Sequence, residues 1–267
     1  MKPRRHIVIP DTQLKAELKP EETQHLDWMA QYVVDQKPDV LVIIGDWADM
    51  PSLSTHDVGT MDAEGRTYRA DILAANDGLQ RLMAPIEAEI KRRQRSHKAR
   101  WNLRKVVTLG NHEHRINRYV QRFRVWEGKI STDDIFFKQW GFEVYPFLQP
   151  VEIDGVSYCH YFGSGVKQLP ISSAKALLTK KHMSCVAGHQ QGFDVATDYK
   201  GNGKRITGII AGSCYLHDES YMGPQGNRNH FRGILVLNEV CDGEFDILPV
   251  SLNFLQRKYG KAQKEAA

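Results

Sequence analysis

Cysteine is scarce and long apolar runs are missing from this 267-residue sequence. Nothing in it matches the run of about 20 apolar residues that a membrane span needs, or the apolar core of a secretion signal, so the expectation is a soluble, cytoplasmic protein with no membrane partner. The four cysteines, Cys159, Cys185, Cys214 and Cys241, are scattered and form no CxxC pair. That argues against a zinc knot or a disulfide framework and for buried, reduced thiols. Internal repeats, low-complexity tracts and a flexible linker are also missing, so a chain that is 41% hydrophobic reads as one large domain with a substantial core. Acidic residues are nearly absent from residues 91–126, where twelve Lys and Arg face one acid, Glu113. The rest of the chain carries 24 basic and 31 acidic residues, a net of −7 within an overall charge of +4. One face of an otherwise acidic protein should therefore be strongly positive.

What is present alternates between strand and helix patterns. Residues 7–10, 40–44 and 105–109 are short continuous runs of apolar and β-branched residues, as in strands covered on both faces. Apolar spacing at Leu26, Met29, Ala30 and Val33 predicts a helix over 21–36. A second helix should run from Arg69 into the basic stretch, burying Ile72, Leu73, Leu79, Leu82, Met83, Ile86 and Ile90. This order suggests α/β units with parallel strands. In the second half, residues 151–158 alternate around Asp154-Gly155, a hairpin signal, and Asp242-Gly243 supplies another. Strands are expected over 184–187, 205–215, 231–240 and 244–252, with a helix over 172–181, so this half reads as mostly antiparallel. The fold class is α/β, with two packed mixed β-sheets flanked by helices. It comprises one domain over 1–252, a helical and basic insert over 50–104 that would cap the site, and a frayed helical tail over 253–267.

The residues that carry chemistry sit just after these strands. They are Asp11-Thr12-Gln13, Gly45-Asp46-Trp47-Ala48-Asp49, Gly110-Asn111-His112-Glu113, His160 and Gly188-His189-Gln190-Gln191. Carboxylates, amides and imidazoles on separate loops are what a two-cation site needs, with one carboxylate bridging ions about 3.5–4 Å apart. Asp46 is the candidate bridge, because it follows an apolar strand and a glycine that permits a tight exit. Gly163-Ser164-Gly165 lacks the length and context of a phosphate-binding P-loop.

In order and chemistry these five elements, spread over residues 11–191, resemble the calcineurin-like metallophosphoesterase superfamily. The resemblance implies a four-layer α/β/β/α sandwich. It also implies a second metal surrounded by Asp46, Asn111, His160 and His189, and a first metal held by Asp11, Asp46 and two histidines. At those two histidine positions this chain has Gln13 and Gln191. An amide oxygen in place of imidazole shifts preference from zinc-like ions towards Mn²⁺, Mg²⁺ or Ca²⁺. The expectation is two divalent ions, Mn²⁺ favoured over Mg²⁺, Zn²⁺ or Fe, with a weaker first site; the alternative is one metal, with both glutamines turned away. The resemblance further implies that His112 faces the substrate phosphate, held by Asp49, while a metal-bound hydroxide attacks phosphorus in line. Such a pair makes chemical sense, since the carboxylate fixes the imidazole tautomer and favours its protonated form.

The basic stretch brackets the Gly-Asn-His-Glu motif, and Arg115, Arg118 and Arg122 should line one side of a helix leaving it. With His114 they are the candidate substrate-binding residues, and Trp101, Tyr119 and Trp126 are interleaved where they could stack on bases. This favours nucleic acid as substrate and a phosphodiesterase or nuclease as function. Similar proteins are common in bacteriophage genomes, which would put this one in the host cytoplasm. The alternatives are a phosphomonoesterase acting on nucleotides or phosphoproteins, and a nucleic-acid-binding protein with an impaired metal centre. Homo-oligomerisation stays open. His217 and His230 sit in or beside a Gly-rich, polar stretch over 215–233 that could form an active-site rim, although ordinary surface roles are the favoured reading.

Overall fold

The computed structural model describes residues 2–55, 61, 64–96, 99–219, 222–228 and 230–260. Apolar runs without polar alternation need cover on both faces, and they receive it. Strands β1 (Arg4–Ile9), β2 (Val40–Ile43) and β3 (Arg104–Thr108) pair in parallel, connected by α1 (His25–Gln36) and α2 (Tyr68–Arg95). Helix α3 (His114–Arg122) leads to a parallel edge strand, β4 (Glu143–Tyr145), which at three residues is too short to show a period in the sequence.

The second half is mostly antiparallel, as expected, but the centre of its sheet is parallel. Hairpin β5 (Val151–Ile153) and β6 (Val156–Cys159) is followed by a two-stranded ribbon, β7 (Gly163–Ser164) with β8 (Leu169–Pro170), and then by α4 (Ala174–Lys181). That helical crossover makes β9 (Ser184–Ala187) parallel to β6. Strand β10 (Phe193–Tyr199), which the sequence did not announce, turns back into β11 (Arg205–Ala211), which is parallel to β9. The resulting five-stranded sheet is mixed, in the order β10-β11-β9-β6-β5. After α5 (Gly223–Arg228), β12 (Gly233–Cys241) and β13 (Glu244–Ser251) return to the first sheet, giving β13-β12-β1-β2-β3-β4. Both Asp-Gly hairpins turn as expected: φ is 52° and 82° at Asp154 and Gly155, and 49° and 83° at Asp242 and Gly243.

Alternate side chains of each strand face opposite ways, and the core follows that rule. Ile7, Ile9, Leu41 and Ile43 face α1, α2 and α6 (Leu252–Tyr259). Val8, Val42 and Ile44 face Val156, Tyr158, Val186 and Ile209 of the second sheet. The far face of that sheet, with Cys159, Cys185 and Ile210, packs on Leu177 of α4. Thr67, Ser173 and Ser251 cap the N-termini of α2, α4 and α6 with their hydroxyls. No described helix is long and apolar enough to cross a membrane.

Three expectations change here. Helix α2, about half of the segment expected to cap the site, packs Ala75, Leu79, Leu82, Met83 and Ile86 into the core, with Leu73 exposed, while Ser52, Leu53, Ser54 and Thr55 of that segment line a cavity beside Asn111. Parts of that insert, residues 56–60, 62–63 and 97–98, lie outside the described residues. The C-terminal helix is docked rather than frayed: α6 buries Leu252 and Leu255, and the Tyr259 hydroxyl donates to Asp35 at 2.7 Å. Residues 261–267 of the expected tail lie outside the described residues. The basic stretch is also divided. Because α2 runs back to the start of β3, Arg92, Arg104 and Lys105 gather at the opposite end of that strand from Arg115, Arg118 and Arg122. They pair there with Glu89, Glu143 and Glu87. Trp101 is buried with them, its indole N–H donating to the Pro38 carbonyl at 2.7 Å, so it is no stacking surface.

Two buried histidines give the fold a pH dependence. The Tyr158 hydroxyl donates to His6 Nδ1 at 2.7 Å, and His6 Nε2–H donates to Asp154 at 2.8 Å. Burial outweighs Asp154 and pushes His6 from its ordinary 6.5 down to about 4. Burial, helped by His217 and Arg81, pushes His25 to about 3. The unfolded chain takes up these protons at higher pH than the folded one. Their contribution to stability should therefore be full above about pH 6.5 and lost as pH falls towards 4, by a few kcal/mol in total, roughly. Thermal unfolding at several pH values in that window checks this, and a pH-independent melting temperature there would refute it.

Candidate metal centre

Strands β1, β2 and β3 of one sheet and β6 and β9 of the other end at one place, and the five motifs lie on the loops that follow. Carboxyl ends of parallel strands are the usual ligand-binding edge of such sheets. The loops are tied to one another. The Asp46 carbonyl accepts from the Thr12 and Gln13 N–H groups at 3.0 and 2.9 Å, Gly188 N–H donates to the His160 carbonyl at 2.8 Å, and Cys214 N–H to the Asp11 carbonyl at 2.7 Å. Gln13, Asp46, Met50, His189 and Gln191 all have positive φ, between 46° and 68°. Such conformations cost about 1–3 kcal/mol each and collect at functional sites. Gly45, at φ 93°, has no alternative: a Cβ there would lie 2.6 Å from His160 Nδ1 and 2.8 Å from Gly110 N.

The ligand atoms of Asp46, His160 and His189 lie within 4.8 Å of one another. His160 Nε2 is 2.9 Å from Asn111 Oδ1 and 3.1 Å from Asp46 Oδ2. Its Nδ1–H donates to the Ile44 carbonyl at 2.9 Å, which leaves Nε2 facing two acceptor oxygens. A lone pair and two acceptors aimed at one point require a proton or a cation among them. Burial lowers the His160 pKa, but Asp46 and then Asp11 raise it, to about 9. Burial and His160 push His189 down to about 4, keeping it in the neutral form that binds metals.

Asp11 and Gln13 form a second set. Asp11 Oδ1 accepts from His189 N–H at 3.1 Å, while Asp11 Oδ2 and Gln13 Oε1 are buried without a hydrogen-bond partner. Burial, only partly offset by His160, pushes Asp11 up to about 7. Two orphaned oxygens on one short loop are the environment a hard cation satisfies. Gln191 differs, since its Oε1 already accepts from the Tyr215 hydroxyl at 2.7 Å. Replacing Gln13 and Gln191 together with histidine is expected to raise affinity for Zn²⁺ relative to Mn²⁺, by roughly tenfold or more on the softness argument. Calorimetric titration reads this directly; unchanged affinity and stoichiometry would remove both glutamines from the ligand set.

His112 stands beside these groups. Its Nδ1–H donates to Asp49 Oδ1 at 2.7 Å, and Nε2 lies 3.7 Å from Asp46 Oδ2. Burial lowers its pKa, but Asp46 and then Asp49 raise it, to about 9, which favours the protonated ring. Against burial, His112, Lys15 and Arg115 hold Asp49 down at about 2. Lys15 Nζ reaches Asp49 at 3.4 Å and Glu219 at 3.1 Å, and His217 Nε2 lies 2.6 Å from Glu219. His217 is thus buried and linked to Asp49 rather than being a surface residue. Sequence reasoning also missed Glu113, whose buried carboxylate accepts from the N–H groups of Asp46, Ala48 and Gly110 at 3.0, 2.9 and 2.7 Å. Its place in the Gly-Asn-His-Glu motif was the only signal.

On α3, the Arg115 guanidinium donates to the Asp49 carbonyl at 2.9 Å and lies 3.4 Å from His112 Nε2. Arg118 and Arg122 join Arg115 and Asn111 in lining a cavity of about 640 Å³. His114 is not part of that lining; it stacks on Phe147 at 4.8 Å, and contacts continue through Tyr161 to His189.

No protein-family profile and no curated protein matches this chain. A solved crystal structure is matched over 93% of this chain and 100% of its own, at 10% identity and a TM-score of 0.39.

Proposed function

We propose that this chain is a metal-dependent phosphoester hydrolase of the calcineurin-like type, acting as a phosphodiesterase on nucleic acid. The observation that carries this is the meeting of Asp46, Asn111, His160 and His189 at one point, with His112 held against Asp49 beside them. Helices, two mixed sheets and a further helix in succession agree with that superfamily's four-layer sandwich. Asp46, Asn111, His160 and His189 would hold one divalent cation, and Asp11, Gln13 and Gln191 with Asp46 a second. Such ions, when bound, polarise phosphoryl oxygens and lower the pKa of water to about 7.

The chain supplies the remaining chemistry. With Nδ1–H tied to Asp49, the His112 proton on Nε2 points to the side where Arg115 also lies. A leaving oxygen placed there takes that proton as its bond to phosphorus breaks. Arg115, anchored on the Asp49 and Met50 carbonyls, offers its guanidinium to the charge developing on the phosphoryl oxygens. A diester is favoured over a monoester because the cavity beside Asn111 extends along Arg118 and Arg122, beyond the reach of one phosphate.

The test is cleavage of labelled single- and double-stranded DNA and RNA with Mn²⁺, alongside phosphate release from nucleotides, using Asp46→Asn as control. Strand cleavage lost in the variant supports the reading. Phosphate release alone would make the protein a phosphomonoesterase, and oligonucleotide binding without turnover would leave a binding protein with an impaired centre.

A further inference from the structure

The mouth of the cavity narrows the substrate of the proposed phosphodiesterase. Arg118 and Arg122, one helical turn apart, line the cavity together with Tyr119 and Phe123, spaced the same way. The Tyr119 ring lies 4.8 Å from Phe123 and 6.3 Å from Trp126. Phe123 and Trp126 are 41% and 40% exposed, and each has a cation at its ring: Arg122 at 5.3 Å and Lys129 at 5.9 Å. None of the lining residues is acidic. Glu127, in the turn after α3, pairs with Arg124 at 3.4 Å.

Cations and partly exposed rings in alternation suit a ligand that alternates phosphates with flat apolar rings. A duplex presents the phosphates but hides the base faces in its own stack, whereas a single strand offers both. An acidic protein surface would use the arginines and leave the rings without partners. A second copy of this chain would set one basic rim against another. We propose that α3 and residues 123–129 form a platform for single-stranded nucleic acid, with phosphates on Arg118 and Arg122 and bases on Phe123 and Trp126, leading the strand past Asn111 to the metal centre. The assignment rests on the phosphodiesterase reading for its purpose, but binding can be measured separately from turnover.

The full-length protein is titrated, with Ca²⁺ present, into a fluorescein-labelled oligothymidylate and into a duplex of the same length, and the intactness of each is checked afterwards. The single strand should bind at least tenfold more tightly. Phe123→Ala and Trp126→Ala should each weaken that binding roughly five- to hundredfold, the range for one base–ring stack, while leaving duplex binding unchanged. Trp126→Phe should retain most of the affinity, and circular dichroism confirms that each variant is folded. Equal affinity for the duplex, folded alanine variants that bind like the parent, or displacement of the strand by an equal concentration of mononucleotide would each overturn the platform. So would self-association lost in the same variants without strand binding. Strand cleavage with no effect of the ring substitutions removes the platform and keeps the hydrolase. Selective strand binding without cleavage does the reverse.

Discussion

Asp46→Asn is expected to lower hydrolysis about a thousandfold or more, equivalent to about 4 kcal/mol of transition-state stabilisation. The substitution keeps shape and backbone. Position 46 has φ 48°, in the left-handed region that asparagine tolerates, and its carbonyl still accepts from Thr12 and Gln13. What changes is one charge at the point where His160, His189, Asn111 and His112 converge. An amide nitrogen replaces one oxygen that a cation would use, and the raised pKa values of His112 and His160 lose their main source. Calorimetry with Mn²⁺ should show weakened binding with the melting temperature little changed. Hydrolysis within tenfold of the parent, with metal stoichiometry intact, would move the reactive centre elsewhere.

The second large effect is on stability. Glu113→Ala leaves the buried N–H groups of Asp46, Ala48 and Gly110 without their acceptor. An unsatisfied buried donor costs about 1–3 kcal/mol, so three should cost roughly 3–9 kcal/mol, a large share of a domain's stability of about 5–15 kcal/mol. The lower part of that range is favoured, because burial and Asp46 already push the Glu113 pKa up, a sign that its charge is held at a cost. Glu113→Gln should fall between, since one amide oxygen can still accept while the NH₂ group opposes a donor. Thermal unfolding should rank parent, glutamine, alanine in descending order, and metal affinity should fall with them as the two loops lose their common anchor. An alanine variant melting within about 2 °C of the parent would show that water replaces the carboxylate at no cost.

The contrast between these two residues shows what a sequence can reveal. Asp46 stands out because it follows Val40–Ile43, a run whose apolar residues face both ways, and because a glycine precedes it. Burial on two faces leaves that local mark, which is why β1, β2, β3 and α2 and both Asp-Gly turns were legible. The order of the motifs then suggested a metal site and a partner for His112 in Asp49, and the two side chains do meet at 2.7 Å. Glu113 lies in the same motif, yet nothing local says that its carboxylate turns inward to gather three N–H groups from two loops.

Residue periodicity and turn chemistry thus decided the main strands and helices and the loops that carry Asp11, Asp46, Asn111, His160 and His189, because each depends on neighbours a few positions away. Tertiary structure alone decided that β6, β9 and β11 run parallel, that Trp101 is buried while Phe123 is exposed, and that the basic stretch splits between the two ends of β3. It also decided that Lys15 and Glu219, 204 positions apart, link His217 to Asp49, and that Tyr215 engages Gln191. Contacts of that kind follow from how layers stack and loops converge, and one chain read alone carries no local pattern that records them.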